Sequence, residues 1–292
     1  MENKGLYEII VSELKKNKDV NESLREISKS LVISYGRTVE RNVSAVLKVL
    51  ISTQSFSDML KYAEDKARQS FNAVTAHREA EERFDDMNGT ETSTIYEQLE
   101  LPDAISVERV TECSTYHPSP IKSVRCNLDN LKAKGINYQD YVFIDIGSGL
   151  GRNLLIASDY PFKGIIGVEV SAYLCQKALA NAAQYRSRHP DTAPIEIRCV
   201  NALDYNLPDE NMVLYFWEPF GRKSADEFCS KLNVYLSSHD RKMILIFLGR
   251  AFAGIKNSKK FKLVDMFETE DNTISKGKYF LASVFENKSS GR

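Results

Sequence analysis

The sequence predicts an α/β protein with a doubly wound, mostly parallel sheet of seven strands. From residue 139 to residue 288, short apolar runs typical of buried strands alternate with stretches whose apolar residues recur at helical spacing. A capping-box pair, Ser224 and Glu227, predicts the start of the helix after the fourth strand. No helical pattern separates the last two apolar runs, so the last strand is expected to be antiparallel.

The first strand of this region leads into a turn rich in glycine. Asp145 stands two residues before Gly147, and Gly149 and Gly151 follow at alternate positions. Glycine permits positive φ and close approach of a ligand, and ligands of open α/β sheets bind at the carboxyl ends of the strands. A dinucleotide-binding turn would have its third glycine where this chain has Arg152. The spacing therefore favours a ligand with an amino-acid group and without a pyrophosphate.

Polar residues also stand where the next three strands end. Glu169 ends the second strand, at about the distance along the chain at which nucleotide-binding α/β folds place a carboxylate for the ribose hydroxyls. Asn201 and Asp204 follow the third strand as polar side chains able to contact an adenine edge, and Glu218 follows the fourth. Because the carboxyl ends of parallel strands meet at one edge of a sheet, we expect these residues to form one site.

The string from Phe143 to Gly151, together with Gly167-Val-Glu169, resembles the motifs of class I S-adenosylmethionine (SAM) methyltransferases, and especially those of the Dot1-like and related bacterial branches. The resemblance extends over residues 84–285 and implies a Rossmann-like methyltransferase fold with SAM as cofactor. In that superfamily the glycine turn holds the methionine part, the acid at the end of the second strand holds the ribose, and the residues after the third strand lie by the adenine. The cofactor-binding residues so implied are Asp145, Gly147, Ser148, Gly149, Gly151, Glu169, Asn201 and Ala202.

Residues 85–138 have a less regular pattern and are expected to form a connecting segment whose loops cover cofactor and substrate. Segments before the glycine motif close over SAM in similar enzymes, which makes Thr92 and Tyr116 candidate cofactor residues. Tyr116 and His117 are also candidate catalytic residues, because the unperturbed pKa of histidine suits a general base. The alternatives are a turn aromatic that packs on neighbouring helices and a histidine without a role.

Transfer of a methyl group from SAM requires mainly that the acceptor is held in line, and a base only if the acceptor arrives protonated. Glu218 is the first candidate for orienting or deprotonating the acceptor, since similar amine methyltransferases have a polar group at this place. The alternative is that Glu218 pairs with Arg222 or Arg152 and only shapes the turn. The expected acceptor is a nitrogen of a small, natural-product-like molecule. A protein-lysine methyltransferase and a SAM-binding scaffold without catalysis are the alternatives.

Residues 1–84 contain apolar residues at helical spacing and no proline, which predicts an N-terminal helical cap. The cap is expected to pack on the sheet and wall the substrate cleft, with homodimer formation through these helices as the alternative. Residues 139–288 would then form the SAM-binding methyltransferase domain.

The composition narrows the classes of partner. The 39 basic and 40 acidic side chains give a net charge of -1, which disfavours a globally basic nucleic-acid binder. The five cysteines lack the C-x-x-C spacing of metal sites, so no metal is expected. No apolar run has membrane-spanning length and the start is polar, which predicts a cytoplasmic protein without a membrane contact.

Overall fold

The computed structural model describes residues 83–96, 101–103, 116–269 and 281–288. The cap predicted over residues 1–84, and the dimer that it could form, therefore lie almost wholly outside the described residues and stay predictions. Residues 83–88 are helical. The remaining elements are α1 (Ile121–Ala133), a short 3-10 helix (Tyr138–Asp140), β1 (Val142–Ile146), α2 (Arg152–Ser158), β2 (Gly164–Glu169), α3 (Ala172–Arg188), β3 (Ile195–Cys199), β4 (Met212–Trp217), α4 (Arg222–Ser238), β5 (Met243–Leu248), α5 (Ala253–Lys256), β6 (Phe261–Glu268) and β7 (Leu281–Asn287). None of these helices is long and apolar enough to cross a membrane.

The strands form one sheet in the order β3-β2-β1-β4-β5-β7-β6. The first five strands of this order pair in parallel, whereas β7 runs antiparallel to both β5 and β6. This arrangement confirms the predicted doubly wound, mostly parallel sheet with an antiparallel last strand. Strands β1 and β4 are neighbours although β2 and β3 lie between them in the chain, so the direction of winding reverses there. Such a switch point opens a crevice at the carboxyl ends of the strands, where open α/β folds bind ligands.

Apolar side chains cover both faces of the sheet. Strands β1 and β5 are buried along their whole length, as expected for strands with helices on both faces. On one face Phe143 packs among Val124 and the apolar residues of α1 and α2. On the other face the ring of Phe216 stacks on Phe247 at 4.6 Å and meets Phe228 of α4. The packed faces make the sheet a firm support for the residues at its carboxyl edge.

The two long helices after β2 and β4 begin differently. Helix α3 follows Ser171, whose hydroxyl oxygen accepts a hydrogen bond from the backbone N–H of Leu174 at 3.2 Å. Helix α4 follows Gly221, which has no side chain to cap the helix. The predicted capping box at Ser224 is therefore wrong, because Ser224 is already the third residue of α4. The same Ser-x-x-Glu spacing fits inside a helix, so the pattern alone does not fix where the helix starts.

Candidate functional site

The turn between β1 and α2 depends on glycine. Gly147, Gly149 and Gly151 have φ angles of 80°, 52° and 85°, which side chains with a Cβ rarely adopt. A Cβ on Gly149 would overlap the ring of Tyr116, and a Cβ on Gly147 would lie 2.7 Å from Cβ of Pro219. The turn thus lies between the segment before the sheet and the segment after β4, with no room for a side chain on either side.

Asp145 lies on β1 directly before this turn and is 1% exposed. Its Oδ2 accepts a hydrogen bond from Asn153 Nδ2 at 3.1 Å. Burial raises the pKa of Asp145 to about 7, the bond from Asn153 lowers that pKa, and the charge of Glu169 raises it. Two buried polar atoms, Asn153 Oδ1 and Ser148 Oγ, have no hydrogen-bond partner among the described residues. Buried polar atoms without a partner are uncommon in folded proteins.

The Glu169 carboxylate accepts three backbone N–H groups. Its Oε2 accepts from Gly149 at 2.9 Å, and its Oε1 accepts from Val170 at 2.8 Å and from Ser171 at 2.9 Å. Burial raises the pKa of Glu169, and the three N–H bonds oppose the increase. A carboxylate has about four acceptor positions, so one remains for a ligand hydroxyl. Glu169 therefore also ties the glycine turn to the start of α3, which the sequence did not predict.

A set of polar residues joins the segment before α1 to α2. We call it the Asp85 network, and its members are Asp85, Thr90, Thr92, Ser93 and Arg152. The Asp85 carboxylate accepts five hydrogen bonds of 2.6 to 2.8 Å from the side chain of Thr90 and from the backbone and side chains of Thr92 and Ser93. Arg152 donates to the hydroxyls of Thr92 and Ser93 at 2.8 and 2.7 Å, and its Nη2 lies 3.6 Å from Asp85 Oδ2. Arg152 is 2% exposed, so this network is internal to the protein.

The Asp85 network positions Tyr116 against the glycine turn. The Tyr116 hydroxyl donates to the backbone oxygen of Thr92 at 2.9 Å, and the backbone of Tyr116 forms an antiparallel bridge with Tyr96. Burial raises the pKa of Tyr116 well above its usual value, and the charges of Asp85 and Asp145 raise it further, so the phenol stays protonated and donates. The structure thus brings Thr92 and Tyr116 to the glycine turn, whereas the neighbouring His117 is exposed.

Glu218 lies at the end of β4 with a φ of 44°, a left-handed conformation that is uncommon outside glycine. Its Oε1 accepts a hydrogen bond from the backbone N–H of Arg250, in the turn after β5, at 3.2 Å. The next residue, Pro219, is the one that lies against Gly147. Glu218 therefore lies at the carboxyl edge of the sheet, one residue before the contact with the glycine turn. Strained backbone such as the left-handed conformation of Glu218 is common at functional sites.

The residues after β3 are partly engaged in their own turn. Asn201 Oδ1 accepts from the backbone N–H of Leu203 at 2.9 Å, and Ala202 is buried in the apolar core at 6% exposure. Their predicted contact with an adenine stays a prediction.

Sequence reasoning missed two acidic residues of this region. Asp85 was placed at a predicted domain boundary, although the run of hydroxyl residues that follows it could have indicated a polar network. Asp103 accepts from the hydroxyl of Ser171 at 2.9 and 3.0 Å and from the backbone N–H of Tyr173 at 3.2 Å, at the start of α3. A carboxylate there also complements the positive end of the helix dipole. Asp103 and Ser171 are 68 positions apart in the chain, so no local sequence pattern predicts that Asp103 lies at the start of α3.

No protein-family model and no curated protein sequence matches the chain. Among solved structures, the chain is similar to magnesium protoporphyrin IX methyltransferase from Synechocystis with bound SAM, at 15% identity and a TM-score of 0.42, over 58% of this chain and 79% of that one. It is also similar to an RNA methyltransferase from Salinibacter ruber in complex with S-adenosyl-L-homocysteine, at 16% identity and a TM-score of 0.39, over 60% and 95% of the two chains. A ribosomal protein L11 methylase from Lactobacillus delbrueckii has 16% identity and a TM-score of 0.37, over 56% and 78%. These likenesses are too distant to carry a conclusion about function.

Proposed function

We propose that the protein is a SAM-dependent methyltransferase. The observation that carries this proposal is the meeting of Asp145, the glycine turn and Glu169 at the switch point between β1 and β4, with Glu169 bonded to the N–H of Gly149 at 2.9 Å. Two carboxylates and a backbone without side chains suit a ligand with a positive amino-acid group and a ribose. The turn does not suit a pyrophosphate, because Arg152 stands where a dinucleotide-binding turn has its third glycine.

The residues present fit SAM part by part. The open acceptor position of Glu169 suits a ribose hydroxyl, and bonds from hydroxyls to a charged acceptor are among the stronger ones. Asp145 and Ser148 lie at the glycine turn, where the methionine part would be held. Tyr116 and Thr92 would cover the methionine part, while Asn201 and Ala202 would lie by the adenine.

The chemistry also follows from these positions. Bound SAM supplies a methyl group that its sulfonium makes electrophilic. The chain's part is to hold the acceptor in line and to exclude water. Glu218, directly after the carboxyl end of β4, would accept a hydrogen bond from an acceptor nitrogen or remove its proton, and a small molecule with such a nitrogen is the proposed acceptor. Tyr116 is less suited to be a base, because its raised pKa keeps it protonated.

Calorimetry of the purified protein with SAM and with NADH tests the proposal. We expect SAM to bind and NADH not to bind, because the glycine turn lacks the third glycine of a dinucleotide site. NADH binding without a SAM signal would contradict the proposal. Incubating cell extract with the protein and methyl-labelled SAM then separates the acceptor classes by mass spectrometry. A labelled small molecule supports the proposed acceptor, labelled protein indicates a lysine methyltransferase, and no label with intact SAM binding indicates a scaffold.

Glu169→Ala is expected to affect both cofactor and fold. SAM affinity should fall at least about tenfold, because a charged acceptor of ribose hydroxyls is lost. The free energy of unfolding without ligand should fall by about 2 to 4 kcal/mol, because three backbone N–H groups lose their charged acceptor. Calorimetry with SAM and urea denaturation measure the two effects. Glu196→Ala, which removes an exposed glutamate from β3, is the matched control and should change neither. An unchanged dissociation constant for SAM would remove Glu169 from the site.

A further inference from the structure

Two cysteine thiols lie beside the backbone of Glu169. The thiol of Cys175, in the first turn of α3, donates a hydrogen bond to the backbone oxygen of Glu169 at 3.5 Å. Cys199, the last residue of β3, is the register partner of Glu169 in the parallel pair of β2 and β3. The same Glu169 oxygen accepts the N–H of Val200, the residue after Cys199, at 2.9 Å. Helix α3 and strand β3 thus bring the two cysteines to one carbonyl group.

The two thiols touch each other but differ in exposure. The thiol of Cys199 lies close enough to that of Cys175 to form a side-chain hydrogen bond with it. Cys175 is 4% exposed, whereas Cys199 is exposed to solvent. Burial raises the pKa of the Cys175 thiol, and the hydrogen bond and charge of Cys199 raise it further. An oxidant in solution therefore reaches Cys199 first, and the adjacent Cys175 sulfur is placed to react with the product.

We propose that Cys175 and Cys199 form a reversible disulfide in the presence of hydrogen peroxide, and that this bond weakens the binding of SAM at Glu169. The Cys199 thiolate attacks a peroxide oxygen, the O–O bond breaks, and a sulfenic acid and one water form. The Cys175 sulfur then attacks Cys199 Sγ, the S–O bond breaks, and the hydroxyl leaves with the Cys175 proton as a second water. The two sulfurs lose two electrons in total, and the peroxide gains them.

The disulfide would change the surroundings of Glu169. Its sulfurs lie about 2.05 Å apart, closer than two thiols that hydrogen-bond, so its formation draws the first turn of α3 toward the end of β3. It also removes the S–H donor from the Glu169 oxygen. The Glu169 carboxylate accepts the N–H groups of Val170 and Ser171, which lead directly into α3, so a shift of α3 moves the carboxylate. Close-packed interiors transmit such shifts. The effect on SAM rests on the proposed function, whereas the disulfide itself does not.

Peptide mapping of the purified protein tests the disulfide. After treatment with hydrogen peroxide, blocking of free thiols and digestion with trypsin, we expect one cross-linked species made of residues 164–177 and 199–222. Its mass should be lower by two hydrogen atoms than the sum of the two peptides, and dithiothreitol should separate them. Cys126→Ser, which removes a half-buried cysteine from α1, is the matched control and should form the same species. Absence of the cross-link, with Cys199 oxidised only to sulfinic acid, would overturn the proposal.

Single variants test the order of oxidation. Cys175→Ser leaves Cys199 without the adjacent sulfur, so its sulfenic acid should persist and be labelled by dimedone. Cys199→Ser leaves Cys175 buried, and Cys175 should stay unlabelled under the same conditions. Cys175→Ala is measured alongside, in case a serine at this buried position does not fold. Labelling of Cys175 in place of Cys199 would overturn the assigned roles.

Calorimetry with SAM tests the coupling to the cofactor. Oxidised wild-type protein should bind SAM at least about fivefold more weakly than reduced protein, the lower end of coupling between two sites, and dithiothreitol should restore the affinity. Cys199→Ser should bind SAM equally before and after peroxide, whereas Cys126→Ser should still lose affinity. A change below about twofold in a protein that carries the cross-link would overturn the coupling. If reduced wild-type protein binds no SAM, the proposed function fails, whereas the peptide map still decides whether the disulfide forms.

Discussion

Replacing Asp85 by alanine is expected to lower the free energy of unfolding by about 3 to 5 kcal/mol, because it breaks a buried ionic network from one side. Five hydrogen-bond donors of Thr90, Thr92 and Ser93 lose their charged acceptor. The Arg152 guanidinium, 2% exposed, loses the carboxylate 3.6 Å away. The main cost is that the Arg152 charge stays buried without the Asp85 carboxylate. Removing one partner of a buried ion pair destabilises a protein more than removing both.

Urea denaturation followed by the fluorescence of Trp217, the one tryptophan of the chain, measures this loss. Asp86→Ala is the matched control, because Asp86 is the exposed neighbour on the same helical turn and its removal should change stability by less than about 0.5 kcal/mol. Asp85→Asn keeps one acceptor oxygen and should lie between the two. The network would be irrelevant to stability if Asp85→Ala unfolded at the same urea concentration as Asp86→Ala.

The network also acts on the proposed cofactor site through Tyr116. The hydroxyl of Thr92 accepts a hydrogen bond from Arg152, and the backbone oxygen of Thr92 accepts one from the Tyr116 hydroxyl. Because Asp85 binds Thr92, it indirectly fixes the position of the Tyr116 ring against Gly149. Coupled bonds of this kind support one another more strongly than isolated ones. If Tyr116 covers the cofactor as proposed, these buried bonds fix its ring before the ligand binds, so little freedom is lost on binding and affinity is favoured.

Much of the fold was predictable because parallel strands leave a plain signal. β4 and β5 are apolar along nearly their whole length, and a run of that kind between turn residues has few other interpretations. The lack of a helical pattern in the sequence between β6 and β7 likewise indicated the antiparallel end. The start of α4 was mispredicted at Ser224 because a capping box is a local pattern, and the local pattern is satisfied equally well one turn inside a helix.

The site was predictable only where its residues lie next to strand ends in the sequence. Asp145 and Glu169 could be placed at one edge of the sheet because parallel strands end together. The bond from Gly149 to Glu169 could not be predicted, since it depends on how the turn folds back on β2. Asp85 and Arg152 lie 67 positions apart, and the pairing of a boundary residue with a helix start is a property of the packed structure alone.

The last prediction distinguishes a catalytic Glu218 from one that only braces a turn. Glu218→Gln keeps the side-chain length and an oxygen that can still accept from the N–H of Arg250, but it removes the charge. If Glu218 removes a proton from the acceptor, single-turnover methyl transfer should slow by about 10²- to 10⁴-fold, the usual range for a general base. SAM affinity and melting temperature should stay near those of the wild type, because the bracing bond and the glycine turn are unchanged.

Glu218→Ala is the reference variant for this measurement, since it removes both the charge and the bond to Arg250. A melting temperature that falls in the alanine variant, with a normal rate in the glutamine variant, would assign Glu218 to the turn and end the catalytic proposal. A small loss of rate in the glutamine variant would instead indicate that Glu218 orients an acceptor that is already neutral, because the amide oxygen still accepts that bond, although more weakly than a carboxylate does. Glutamate, glutamine and alanine all carry a Cβ, so the strain of the left-handed φ of 44° is expected to be similar in the wild type and both variants. The comparison of glutamate with glutamine then measures the effect of the charge.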